Sequence, residues 1–398
     1  MVEVNTVLRH ADFAPGENED ARDFVTESDL VFTTTNDYDH NNYSIRNGTS
    51  SEVPSYMILL TYALPVIIIM GTIGNMLSFL VLVRCQMRNT SVYFYLTTLA
   101  VADTCVLYLS AFKTWIRLIV GYELLHESDG VCKVVNFLNL FWLHLSAWLI
   151  VFVTVDRFVV VWFPFKASSV CTVTRSRVAT TVLVIALIAY NSHFFWTYQL
   201  YVHPKYGTPT CGPPESMRRF MFGEFEFLKL STYSLIPFAI ILVLNVAIIT
   251  RLHWRPFLLR GRSGDTTSTF SGASRTESAT YGRQAKVTYM LVAVSFAWLV
   301  LTLPNAIHMF ISKLVNADTS HMFRAISFLL MYTNHAINFY LYCITGKKFR
   351  RELEDLSKAA CSRMKRPANG STVCSPSRKT YGPRTNLIDI ELHELVNT

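Results

Sequence analysis

Charge is what this 398-residue sequence lacks: only 16% of its residues are Asp, Glu, Lys or Arg, against about a quarter in a typical soluble domain. The shortage is concentrated. Six long apolar runs, approximately 56–83, 134–155, 178–201, 230–250, 287–311 and 325–344, hold no charged side chain at all. A seventh, 92–118, holds Asp103, Lys113 and Arg117. Crossing a bilayer core takes about 20 apolar residues in a helix, and all seven runs are long enough. Other absences narrow the class further. There is no metal-ligand cluster, P-loop or nucleophile elbow, so an enzyme is not expected. No internal repeat and no Gly- or Pro-interrupted pair of spans supports a transporter. The first residues lack a basic stretch followed by an apolar run, so no cleavable signal peptide is expected and the first span would act as its own insertion signal.

What is present fits an all-α membrane protein, a seven-transmembrane helix bundle. Hydrophobic residues make up 51% of the chain, and 27 Phe, 19 Tyr and 7 Trp supply the rings that favour a bilayer interface. An odd number of spans puts the termini on opposite sides. Arg84 and Arg88; Lys166, Arg175 and Arg177; Arg251 to Lys286; and Lys347 to Arg351 fall in alternate connections and share one face. The positive-inside rule makes that face cytoplasmic. Residues 1–55, with eleven acids and three bases, go outside. Plasma-membrane residence with an extracellular N-terminus is the expectation, and no nucleic-acid partner.

The domain reading follows: 1–55 a disordered extracellular tail, 56–345 the bundle, 346–360 an amphipathic surface helix, and 361–398 a disordered cytoplasmic tail. Asn42-Tyr-Ser and Asn47-Gly-Thr are glycosylation sequons on the outer side. The Ser-, Thr- and Gly-rich segment 261–280 reads as a flexible cytoplasmic loop, either a plain linker or a kinase-regulated segment. Phe349, Leu353 and Leu356 recur at helical spacing between charges, as a helix on the inner leaflet requires. Cys361 at its end is either palmitoylated or a free thiol. Only Cys132 and Cys211 fall in outer, oxidising segments, so they are the expected disulfide.

Asp103 lies near the middle of its span, where a carboxylate needs partners, water or a cation. It is either an isolated neutral acid or part of a buried network with Asn75, Ser146, Asn334 and Asn338 able to hold a small cation such as sodium. Asp156-Arg157 ends the third span, about 37 Å along the helix from Cys132. Taken alone it is an interface pair snorkelling to water.

Together these residues resemble the rhodopsin-like G-protein-coupled receptors. Gly74-Asn75 matches the family's GN motif, Leu99-Ala-Val-Ala-Asp103 its LAxAD, Asp156-Arg157-Phe158 a DRY variant, and Pro237 and Pro304 its fifth- and sixth-span prolines. Asn338-Phe-Tyr-Leu-Tyr342 stands where NPxxY belongs. The resemblance runs from about Tyr56 to Leu356. It implies coupling roles for Asp156, Arg157, Pro304, Asn338 and Tyr342, a heterotrimeric G protein as partner, and receptor kinase and arrestin after it. Departures are specific. Phe339 replaces the NPxxY proline, Thr302 the sixth-span tryptophan, and no acid on the sixth span stands ready for Arg157. The seventh span has no retinal lysine, and Asn139 stands where amine receptors have aspartate.

The 334–339 and 301–304 patterns are similar to invertebrate FMRFamide-type neuropeptide receptors. Lys113, Arg117, Glu224, Glu226, Lys229, Tyr233, Asn305 and His308, with Asn139, are candidate pocket residues. Their mixed charge suits a peptide better than a lipid, unless most are rim residues snorkelling to water. The alternatives are a receptor for a non-peptide small molecule, or a transporter working through Asp103.

Overall fold

The computed structural model describes residues 53–84, 90–202, 207–261, 273–314 and 320–364, without the side chains of 222, 255–261, 273–286, 312–314 and 360–364. Asn42 and Asn47, and the Cys361 side chain, lie outside the described residues. Seven long helices follow the seven apolar runs: α1 (Ser55–Leu82), α2 (Ser91–Val120), α3 (Asp129–Trp162), α4 (Val173–Asn191), α5 (Glu224–Leu230 continuing through Ser231–Leu235 and Ile236–Gly261), α6 (Ala273–Leu314) and α7 (His321–Thr345). An eighth, α8 (Lys347–Met364), follows directly.

Six of them are apolar and long enough to cross a bilayer by composition. α7 has the length, at 25 residues, but carries Arg324, Asn334, His335 and Asn338. All four are buried, so its polarity faces other helices and not the surroundings. α3 is the central strut, with 67% of its apolar window buried, whereas α4 is peripheral at 22%. The outward faces are apolar stripes at helical spacing: Val66, Ile69, Ile73 and Met76 on α1, Val178, Val182 and Ile185 on α4. Such surface is a liability in water and ordinary in lipid, where the driving force for burying it vanishes.

Three segments differ from the sequence expectation. The fourth span stops short. After α4 comes one helical turn, Phe194–Thr197, and then the chain straightens into strand β1 (Gln199–Val202), paired antiparallel with β2 (Pro209–Gly212). A two-stranded hairpin satisfies backbone groups that a protruding helix end would leave open. α6 begins at Ala273, inside the stretch read as a flexible loop, because residues propagate onto an existing helix far more easily than they nucleate one. For the same reason α8 runs to Met364, four residues into the segment assigned to the disordered tail.

Among the described residues two helices contain π turns, Leu107–Phe112 in α2 and Ser231–Leu235 in α5. The second ends two residues before Pro237. Proline lacks a donor and its ring collides with the carbonyl four residues back, here Tyr233, so widening the ladder at that point relieves the clash.

The Cys132–Cys211 disulfide closes as expected, joining the first turns of α3 to β2 with a Cα–Cα distance of 5.7 Å. Asn136 braces it, donating to the Cys132 carbonyl at 2.8 Å and reaching the Cys211 sulfur at 3.2 Å. At the other end, Gly346 turns the chain from α7 into α8. Arg350 donates to the Cys343 and Ile344 carbonyls at 2.6 and 2.8 Å, capping groups the helix end leaves unpaired. Phe349 is buried against Phe339 and Tyr342, and Leu353 and Leu356 pack on the core, so α8 presents the apolar face its spacing implied.

α1 approaches α7 through glycine. A Cβ on Gly71 would lie 2.4 Å from Leu107 Cδ1 and 2.9 Å from Ala336 Cβ; on Gly74 it would lie 3.0 Å from Phe339 Cβ. Small residues at such crossings let backbones close up in a membrane. Replacing Gly71 with valine is expected to cost about 1–3 kcal/mol by overpacking, read as a lower melting temperature of the purified protein. An unchanged melting temperature would mean that the two helices do not meet so closely.

Candidate functional site

Three polar constellations run along the bundle from the disulfide end to the opposite end. At the disulfide end α2, α3, α5 and α7 surround a cavity. Of the sequence-derived pocket residues, Lys113, Arg117, Asn139 and Lys229 line it. Glu224 is exposed and does not, while Tyr233, Asn305 and His308 are buried nearby without lining it. Tyr233 meets the edge of His144, Asn305 reaches toward the sulfurs of Met309 and Met331, and His308 sits edge-on to Phe323 and Phe328.

The cavity is charged yet internally matched. Arg117 pairs with Glu123 at 3.4 Å, and Lys229 with Glu226 at 2.7 Å, one turn back on α5. Glu226 is thus a partner of the pocket and not part of its wall. The lining also includes Phe328, Met331 and Tyr332 from α7, and the Tyr332 hydroxyl lies 2.9 Å from Ser110 Oγ. Asn139 lines the space with a side-chain oxygen that has no partner. An unpaired acceptor in a half-buried wall suits a ligand carrying N–H groups.

Midway along, Asp103 is fully buried. Its Oδ1 accepts from Ser146 Oγ and sits against His335 Nδ1, both at 2.7 Å; its Oδ2 accepts from Asn338 Nδ2 at 2.7 Å. Asn75 joins indirectly, donating to the His335 carbonyl at 3.0 Å. Asn334 is buried with its amide nitrogen unpartnered and makes no bond to Asp103. His335 is the member that the sequence reading missed. Its signal was available: it sits three residues before Asn338, on the same helical face.

At the far end Asp156 and Arg157 are both buried, not snorkelling. Arg157 folds back on its neighbour, with Nε 3.2 Å from Asp156 Oδ2 and Nη2 closer still. Consecutive helix residues diverge, so this contact needs the carboxylate held in place. Ser91, at the start of α2, does so, donating to Asp156 Oδ1 at 2.6 Å. Among the described residues the Arg157 guanidinium is thus met by a local clasp between α2 and α3. Tyr342 is buried at the same end, and Pro304 lies within the continuous α6. α7 also runs unbroken through Phe339, as expected without the motif proline.

The buried Glu226–Lys229 pair gives a direct test. Lys229→Met strands a carboxylate, which typically costs about 3–5 kcal/mol. The single variant is expected to melt lower than the parent, and the double variant Glu226→Gln/Lys229→Met to recover most of the loss. Equal melting of parent and single variant would show that the pair is solvated.

Comparison with known proteins agrees with this geometry. The family described as "7 transmembrane receptor (rhodopsin family)" matches residues 74–342. A FMRFamide receptor of Drosophila melanogaster is 28% identical over 71% of this chain and 51% of its own length, so the match spans about half of that relative. A thyrotropin-releasing hormone receptor of Gallus gallus is 24% identical over 76% of this chain and 80% of its own. The human galanin receptor type 2 is 25% identical over 85% and 83%. With seven long helices in order, the disulfide at the head of α3, and the matched segment covering most of the bundle, this multi-pass membrane chain belongs to the rhodopsin family of seven-transmembrane receptors.

Proposed function

We propose that this chain is a plasma-membrane receptor, N-terminus outside, that binds an extracellular neuropeptide in the disulfide-end cavity and activates a heterotrimeric G protein at the Arg157 end. The observation that carries this reading is the cavity: a partly open wall of Lys113, Arg117, Lys229 and Glu123, with the unpaired Asn139 oxygen among aromatic rings. A peptide offers amide N–H groups, charged ends of both signs and apolar side chains to such a wall, whereas a lipid headgroup offers no backbone amides to the Asn139 oxygen. Relatives named for peptide ligands support the same reading. A transporter loses its main support, because the carboxylate that suggested it is engaged by three protein groups.

The mechanism is a shift between two helix arrangements. The ligand binds one better than the other, and can move the equilibrium only by that difference. In the arrangement described here Arg157 is held by Asp156, itself held by Ser91. Release of that clasp frees the guanidinium for a G protein, with α6 pivoting near Pro304. Receptor kinases acting on the Ser- and Thr-rich segment, and arrestin after them, complete the cycle.

Two measurements test this. In cells expressing a promiscuous G protein, a neuropeptide library is expected to contain an agonist, and Arg157→Ala to abolish its signal at normal surface expression. An undiminished response would remove Arg157 from the mechanism. Ser91→Ala deletes a hydrogen bond to a charged group, worth about 1.5–3 kcal/mol. Agonist-free signalling is expected to rise, and basal activity equal to the parent would show that the clasp does not hold the resting state.

A further inference from the structure

The sequence pattern around Asp103 fits a small cation only if the carboxylate keeps free coordination sites and its neighbours offer oxygen. The geometry does not match. Hard cations take oxygen ligands. Here two of the three groups on the carboxylate are nitrogens, His335 Nδ1 and Asn338 Nδ2, each 2.7 Å away. An ionised carboxylate only accepts, so His335 Nδ1 must then carry its hydrogen and point it at Oδ1. A cation seated there would face that N–H. If instead the proton rests on Asp103, the acid donates to His335 Nδ1, and no anion remains to attract a cation. Either placement of the proton closes the site.

The rest of the network is consistent with an interior built around an imidazole. His335 is buried, its backbone carbonyl is gripped by Asn75, and its Nδ1 lies 3.4 Å from Ser146 Oγ, so α1, α3 and α7 all position the ring against α2. Its Nε2 is buried without a partner. A buried ring kept at the cost of an unsatisfied nitrogen implies that the bond made by the other nitrogen matters.

We propose that His335 takes the place of a bound cation on Asp103, so that this receptor has no sodium site at mid-membrane and ties α2 to α7 by a histidine–aspartate hydrogen bond instead. The resting arrangement is then indifferent to sodium.

Thermal unfolding of the purified full-length receptor, in sodium chloride and in N-methylglucamine chloride at matched ionic strength, tests this without any ligand. The parent is expected to melt at the same temperature in both. His335→Ser removes the ring and leaves an oxygen, and is expected to gain a sodium-selective rise of several degrees, which a further Asp103→Asn change abolishes. Should the serine variant fail to fold, His335→Gln keeps the volume and offers an amide oxygen for the same measurement. Sodium-selective stabilisation of the parent overturns the proposal. So does a folded His335 variant with no sodium response, since the ring would then not be what excludes the ion.

Discussion

The hydrocarbon of a bilayer cannot solvate a carboxylate, and that constraint organises this bundle around Asp103. The side chain is withdrawn from all solvent, so each oxygen has to find its partner on another helix. α3 supplies Ser146 and α7 supplies His335 and Asn338, with α1 holding α7 through Asn75. Four helices thus converge on one acid. The glycines of α1 make the convergence sterically possible, since a methyl group at Gly71 would strike both α2 and α7. The same rule operates at the two ends, where Glu226 and Asp156 are buried only because Lys229 and Arg157 are buried with them.

The distribution of polar groups along α7 links these regions. Phe328, Met331 and Tyr332 wall the cavity, His335 and Asn338 reach Asp103, and Tyr342 packs under α8. Their three- and four-residue spacing draws one stripe down one face of a helix. Phe339 keeps that helix intact and presses on α1 at Gly74. A continuous rod transmits displacement from one end to the other differently from a hinged one: it must shift or rotate as a unit. α6, which spans the same distance, retains Pro304, a position at which a helix can bend.

Much of this was legible in the sequence because membrane insertion imposes a coarse, one-dimensional code. Long apolar runs, six of them free of charge, marked the seven helices, and the sidedness of basic residues and cysteines pointed to the disulfide pair Cys132–Cys211. Partner choice is three-dimensional and was less accessible. Asp103, Ser146 and Asn338 were anticipated as one group and meet, whereas Asn334, equally polar and equally buried, makes no bond to Asp103. Ser91 carries no linear signal for its role, since it meets Asp156 only through the crossing of α2 and α3. Helix ends were the least legible. Composition at Ala273–Thr280 is that of a linker, but cooperativity with the apolar helix beyond it prevails.

The π turn at Leu107–Phe112 has a consequence for how related chains are aligned with this one. Relative to an uninterrupted α-helix, one extra residue in a turn advances everything beyond it by about 100°. Lys113 and Arg117 lie beyond it and line the cavity. In a relative without that insertion, the residue at the same count from the aspartate of the second span would point along a different bearing. Equivalence in the first half of α2 therefore does not carry over to its second half, and a gap belongs between them.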